Sequence, residues 1–338
     1  MSLATEHADR VLEIAPLFGG DSTALLIAPR TGQTSCASDW RDLWTSAHAL
    51  AAAHLPQAGA LLFRNCAPPD EALFRAFASS FGSPLIGYDF ASTPRKSVGE
   101  GIYTSTEYPA HQTIPLHNEQ SYTLTWPRRI WFHCAVAPDG GGATPIADSR
   151  RIFAMIDRAV REEFAAKGLT YTRNYGNGLD LPWQEAFGTR DRGAVERYCL
   201  ENRIACEWKA DGELRTRQTC QAVARHPATD DWVWFNQAHL FHPSNLPEAV
   251  RETLLTIVGA TDALPRHVRF GDGTDISEQA MSHIRHVLDR CALSFPWRSG
   301  DILMLDNMQT AHGREPFSGS RRIVVAMADP VRSAILPS

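Results

Sequence analysis

The chain has 338 residues, 33 basic against 38 acidic side chains, a formal net charge of -5, and 43% hydrophobic against 21% charged residues. This length forms one large domain or two small ones, and the slight acidic excess gives a phosphate backbone no footing, so nucleic acid is excluded as a partner. No secretory signal opens the chain and no apolar run approaches the roughly 20 residues of a membrane span, so no membrane association and a cytoplasmic location are expected.

In chain order, Leu43, Trp44, Ala47, Leu50 and Ala51 recur at helical spacing and predict a helix from about Asp39 to His54. A strand follows at Gly59 to Arg64. Pro68, Pro69 and Asp70 then open a helix with Leu73, Phe74, Phe77 and Phe81 on one face and Gly82 closing it. Strand-like lengths come next at His111 to Tyr122 and Arg129 to Ala137, separated by Thr125 to Arg128 and ended by Pro138 and Gly140-Gly141-Gly142. A single helix is expected from Asp148 or Ser149 through Ile152, Ile156 and Val160 to Gly168. A helix at Val195 to Asn202 leads into strands at Ile204 to Trp208 and Leu214 to Arg217, turned by Asp211-Gly212. Trp232 to Phe235 reads as a strand, Pro247 to Val258 and Ser277 to Cys291 as helices, and Asp301 to Leu305 and Arg322 to Ala328 as strands.

No repeat or linker divides residues 1–338, so one domain is expected. Many short strands among a few helices predict a mainly β fold with flanking helices, a sandwich or jelly roll rather than a doubly wound sheet. The seven cysteines (36, 66, 134, 199, 206, 220, 291) are odd in number and contain no C-x-x-C pair, which suits reduced thiols.

The chemistry starts at His117-Asn118-Glu119. Residues two apart on a strand share a face, so both side chains can reach one ion. An H-x-E triplet alone is weak evidence, but His312 adds to it, at a strand end in the segment Asp306 to Arg314 after the apolar run Ile302 to Leu305. Two histidines and one carboxylate with open positions form the facial triad of non-haem Fe(II) oxygenases. Such enzymes hold a dicarboxylate co-substrate. Arg321 and Arg322 offer the guanidinium fork that binds a carboxylate bidentately, and Thr144, in Gly141 to Pro145, offers a hydroxyl.

These segments, PLHNEQSY at 115–122, GGATPIADSRRIF at 141–153 and LDNMQTAHGREPFSGSRRI at 305–323, together with the early strand and helix, resemble the taurine dioxygenase and clavaminate synthase-like family of Fe(II)/2-oxoglutarate oxygenases. The resemblance implies a double-stranded β-helix (cupin-like jelly roll) decorated by helices, with a helical insert at about 150–300. It implies Fe(II), 2-oxoglutarate and O2 as cofactor and co-substrates, and His117, Glu119 and His312 as iron ligands. It also implies that Thr144 and one of the paired arginines bind the distal carboxylate of 2-oxoglutarate. Arg322, directly before the apolar strand, is preferred over Arg321. Hydroxylation with release of succinate and CO2 is the default outcome. Glu119 argues against halogenation, because halogenating relatives lack the carboxylate ligand.

Glu in place of Asp resembles clavaminate synthase and asparagine oxygenase, and H-N-E-x-S-Y resembles the syringomycin-type amino-acid hydroxylases. The implied substrate is therefore a small molecule, an amino acid or a derivative of one, free or tethered to a peptidyl carrier protein. Sulfonate-cleaving relatives carry a second arginine four positions beyond the first; counted from Arg322 that position is Ala326, so a taurine-like substrate is not expected. Gln120, Tyr122 and Arg314 are the candidate substrate contacts, with Trp234, Phe235, Asn236, Gln237 and His239 as candidate pocket wall. The pairs His239/His242 and His283/His286 lack a third ligand and read as packing or surface residues. Three other readings stay open: desaturation, cyclisation or epoxidation with the same cofactors, a cupin-like metal-binding sensor, and a zinc hydrolase.

Overall fold

The apolar runs at 60–63, 130–134, 302–305 and 323–328 pair at the centre of one eight-stranded sheet. Its order is Leu12–Pro16, Leu25–Pro29, Ala60–Phe63, Ile302–Asp306, Thr125–Val136, Arg322–Arg332, Ile102–Thr104 and Ser97–Gly99. All pairings are antiparallel except Leu25–Pro29 with Ala60–Phe63. The structure, a computed structural model, describes residues 11–20, 22–30, 40–66, 70–87, 97–99, 101–104, 108–176 and 178–333. Cys36, Asp39, Pro68 and Pro69 lie outside the described residues.

Alternation along the central strands divides their side chains between two cores. Leu61, Phe63, Trp131, Met304, Val324 and Ala326 face the helices Trp40–Ala58 and Glu71–Ser79, meeting Leu50, Phe74 and Phe77. Asp70 starts the second helix by accepting from the Leu73 amide. Leu62, Ile130, Phe132, Leu303, Ile323, Val325 and Met327 face the other way, onto Ile146, Phe295 and Trp297. Ile146 and Phe295 belong to a four-stranded antiparallel sheet ordered Leu293–Phe295, Thr144–Asp148, Thr310–Arg314 and Ile114–His117. Two sheets therefore share one apolar interior, and the architecture is strand-rich with flanking helices, as expected.

The stretch expected to be a helical insert is mixed. It holds helices and a second four-stranded sheet, ordered Ala205–Trp208, Leu214–Cys220, Leu169–Tyr175 and Arg266–Phe270. Two of these strands escaped the sequence reading because Thr172, Arg173, Asn174 and His267 are buried in them, which hides the usual polar-outward alternation. The helix expected from 148 to 168 is two helices, Ser149–Met155 and Arg158–Lys167. Ile156 between them is extended, and the Asp157 amide donates to His283 Nε2 at 3.0 Å instead of closing a helical turn. The strand expected at His111 to Tyr122 is only Ile114–His117, whereas its neighbour begins at Thr125, not Arg129. Pro127 is tolerated there because the pairing with Ile302–Asp306 ends at Arg129.

Among the described residues six cysteines are free and no helix is long and apolar enough to cross a membrane. One buried ion pair clamps the edge of the shared interior: Arg64 Nε and a terminal guanidinium nitrogen donate to the two Asp301 oxygens at 3.0 and 2.7 Å, with the Asp301 side chain only 1% exposed. Removing one partner leaves a buried charge uncompensated. Arg64→Ala is expected to lower stability by about 3–5 kcal/mol, read as a lower urea midpoint.

Candidate metal centre

His117 ends its strand directly opposite His312 on the neighbouring strand, and the ring centroids lie 4.6 Å apart. His117 Nδ1 donates to the Pro115 carbonyl at 2.9 Å, which assigns the ring proton to Nδ1 and leaves the Nε2 lone pair for an ion. Phe132 packs against the His312 ring at 4.9 Å.

Glu119 is not on the strand, as the two-residue spacing implied, but in the turn that follows it. Buried Asn307 pins that turn. Its side-chain oxygen accepts from the Glu119 amide at 2.7 Å, and its side-chain nitrogen donates to the Glu119 and Pro127 carbonyls at 2.9 and 2.8 Å. Asn118 donates to Ser149 Oγ and to the Asn307 carbonyl, and Gln237 donates to the Asn118 carbonyl. The backbone of the H-x-E segment is thus fixed from three directions. Its consequence is that donor atoms of His117, Glu119 and His312 all lie within 4.8 Å of one another. Two imidazoles and a carboxylate are a donor set suited to Fe(II) with open positions.

Thr144 begins the strand that pairs with the His312 strand, and half-buried Arg321 sits beside Gly142, two residues before Thr144. Thr144 is buried and its Oγ1 accepts from Trp297 Nε1 at 2.9 Å. Arg321 donates from Nε to the Gly142 carbonyl at 3.1 Å and lies over the Phe317 ring at 5.5 Å. No carboxylate pairs with it among the described residues. Burial, with Arg314 nearby, pulls its pKa down to about 10, as expected of a desolvated cation that lacks a counter-ion. Gly142 has to be glycine here: its φ is +68°, and a Cβ would stand 2.8 Å from Pro138, 2.9 Å from Phe317 and 3.2 Å from Arg321.

Arg322, preferred on the sequence, is placed differently. Arg322 is exposed on the opposite side of the strand and forms a two-pronged ion pair with Glu71 of the helix Glu71–Ser79. Alternation explains this, since Ile323, Val325 and Met327 face the shared interior while Val324, Ala326 and Ala328 face the helices.

The candidate substrate contacts separate. Gln120 has a left-handed φ of 54° immediately after Glu119 and lines a cavity of about 360 Å³ with Thr123, Tyr198, Asn202 and Gln218. Such strain in a non-glycine residue concentrates at functional sites. Tyr122 instead points into the core around the second sheet, against Phe241 at 5.5 Å and Tyr171 at 6.3 Å. Arg314 donates to the carbonyls of Tyr108, Pro109 and Gln112 at 2.9, 2.7 and 2.8 Å, so its guanidinium holds the loop before the His117 strand.

Of the candidate wall, Gln237 reaches the site through Asn118, Asn236 donates to the Ala222 carbonyl, and Trp234 and Phe235 pack in separate apolar cores. His239 donates to the Leu116 carbonyl, His242 bonds the Ile276 carbonyl and His283 the Asp157 amide, which fits packing roles.

Desolvation depresses His239 and His267 to about 4. Folding keeps both rings neutral, whereas the unfolded chain protonates them near 6.5. The unfolded state therefore binds more protons between about pH 6.5 and 4, and stability falls as pH drops through that window, by up to roughly 3 kcal/mol per ring. Urea unfolding of metal-free protein at about pH 7 and pH 4.5 is expected to show this loss, and His267→Gln to reduce it.

The chain matches the family model "Taurine catabolism dioxygenase TauD, TfdA family" over residues 29–327. It is 42% identical to the dapdiamide synthesis protein DdaC of Enterobacter agglomerans over 318 residues, 94% of each chain. It is 27% identical over 287 residues to a clavaminate synthase-like protein of Arabidopsis thaliana, covering 81% of this chain and 82% of the relative. Among solved structures, PvcB, an Fe, alpha-ketoglutarate dependent oxygenase from an isonitrile synthetic pathway, superposes with a TM-score of 0.53 at 17% identity, covering 95% of this chain and 94% of that one. A putative alpha-ketoglutarate-dependent taurine dioxygenase from Burkholderia xenovorans gives 0.51 at 14%, covering 97% and 100%. The chain belongs to the TauD/TfdA family and is a non-haem iron- and 2-oxoglutarate-dependent dioxygenase.

Proposed function

We propose that this dioxygenase hydroxylates an unactivated carbon of an amino-acid-derived substrate, with His117, Glu119 and His312 holding the iron and Thr144 and Arg321 holding the distal carboxylate of 2-oxoglutarate. The observation that carries the reading is the convergence of the three donor groups within 4.8 Å, with a half-buried arginine that pairs with no described carboxylate beside Gly142, close in sequence to Thr144. When bound, iron and 2-oxoglutarate would supply, with O2, the oxidative decarboxylation that yields succinate and CO2, one atom of O2 going to succinate and the other to the substrate. The two facing sheets are read as a double-stranded β-helix, and residues 1–338 as a single cytoplasmic domain.

The chain's own residues do the positioning. His117 keeps Nε2 unprotonated through its bond to Pro115, Asn307 holds the Glu119 turn, and Arg321 and Thr144 orient the far end of the keto acid. Gln120, next in sequence to Glu119, lines the cavity that we take as the substrate site. Among the described residues that line that cavity none is charged, which favours a substrate whose carboxyl and amine are masked as amide or thioester over a free amino acid. DdaC, a relative named for dapdiamide synthesis, supports a place in natural-product assembly, and the masked substrate includes one tethered to a peptidyl carrier protein. Counted from Arg321, the position that holds the substrate anion in sulfonate-cleaving relatives is Val325, fully buried and apolar, which argues against taurine.

Incubation with Fe(II), 2-oxoglutarate, oxygen and a panel of free, N-acylated and carrier-bound amino acids tests the proposal by mass spectrometry. Succinate formed together with a one-oxygen gain on a masked amino acid is the expected result. Loss of two hydrogens from the substrate would assign desaturation or cyclisation instead, a one-oxygen gain across a double bond would assign epoxidation, and coupled turnover of taurine would refute the substrate class.

A further inference from the structure

We propose that Trp297 is a positioning residue for 2-oxoglutarate, acting by fixing the direction in which the Thr144 hydroxyl donates. This rests on the reading of Thr144 as a co-substrate contact. The indole N–H is a donor only, and a threonine hydroxyl has one proton and two lone pairs. Trp297 Nε1 occupies a lone pair of Thr144 Oγ1 at 2.9 Å, with both side chains buried. No described residue accepts the hydroxyl proton, so it remains for a carboxylate in the same interior. An unheld rotor would have to be ordered on binding, and its proton would be shared among several directions. The indole removes that freedom beforehand.

The surrounding structure holds Trp297 in turn. Phe295 pairs with Thr144 across the smaller sheet, and Trp297, two residues on, packs edge-on against Phe295 at 4.9 Å. The residues on either side are clamped by the buried ion pair: Arg64 donates to the Pro296 carbonyl at 3.0 Å, and Asp301 accepts from the Arg298 amide at 2.9 Å. A wholly structural tryptophan would need only the packing. The hydrogen bond spans 153 residues of chain to reach one hydroxyl.

The test is calorimetric titration of 2-oxoglutarate into Mn(II)-loaded protein without oxygen, for wild type, Trp297→Phe, Thr144→Ala and the double variant. Trp297→Phe keeps the ring packing and removes the N–H. It is expected to weaken 2-oxoglutarate binding roughly fivefold, the worth of one neutral hydrogen bond, and to raise KM by the same factor while leaving kcat at saturating co-substrate unchanged. In the Thr144→Ala background the same substitution is expected to add nothing, because the two residues form one unit. Trp297→His, which retains a ring N–H, is expected to recover part of the loss and is the second variant should the phenylalanine protein fold poorly. Wild-type affinity in Trp297→Phe, or an equal loss with and without Thr144, would overturn the inference. Unchanged binding in Thr144→Ala would instead overturn the reading of Thr144 itself, and the inference with it.

Discussion

Glu119→Ala is expected to abolish succinate formation while leaving the protein folded, and His312→Ala to do the same. Both side chains belong to the set of three donors within 4.8 Å, and two remaining ligands neither retain the iron nor hold its open positions on one face. The loss should exceed the roughly 10- to 100-fold that removing a residue behind a metal ligand costs. The fold should survive Glu119→Ala because Asn307 grips the backbone N–H and carbonyl of residue 119, not its carboxylate. Metal analysis of the purified variant checks the cause: iron below stoichiometry with a wild-type thermal transition is expected. A variant that keeps full iron and turnover would remove Glu119 from the ligand set.

Arg321 and Arg322 should separate cleanly. Arg321→Met deletes the half-buried guanidinium beside Gly142, and hydrogen bonds to a charged group contribute about 1.5–3 kcal/mol net, so the 2-oxoglutarate dissociation constant should rise roughly 10- to 150-fold. Arg321→Lys keeps a charge but not the fork, and should recover only part of that affinity. Arg322→Met breaks the exposed pair with Glu71, which at the surface is worth about 0–1 kcal/mol, and should leave co-substrate binding unchanged. Equal losses at both positions, or a loss at Arg322 alone, would contradict the placement of the two side chains.

This pair also shows where the sequence stops being readable. Residues 323–328 are apolar at every position because the last strand is buried on both faces, so hydrophobic alternation carries no information about which neighbouring arginine turns inward. The answer depends on which sheet face meets Thr144, a tertiary fact. His117 and His312 stand out in the sequence because strand-end histidines near an H-x-E triplet are chemically distinctive, and the structure brings them together. Glu119 stands in a turn held by Asn307, not on the strand that the two-residue spacing predicts. Asn307 stood inside the LDNMQTAH segment without a role, since nothing local announces that an amide will bridge to residue 119. Trp297 had no signal at all, because its partner is distant in the chain. Proximity in sequence to the candidate ligands points to Arg314 and Tyr122, but it does not show that Arg314 donates to loop carbonyls or that Tyr122 packs in the core around the second sheet.

The decisive measurement is an anaerobic titration of the metal-free protein with Fe(II) and then 2-oxoglutarate, followed in visible light. A charge-transfer band that grows to one equivalent of each in wild type, vanishes in Glu119→Ala, and needs far more 2-oxoglutarate in Arg321→Met but not in Arg322→Met is the predicted result. No band in wild type, with zinc held tightly in place of iron, would contradict the assignment of this centre.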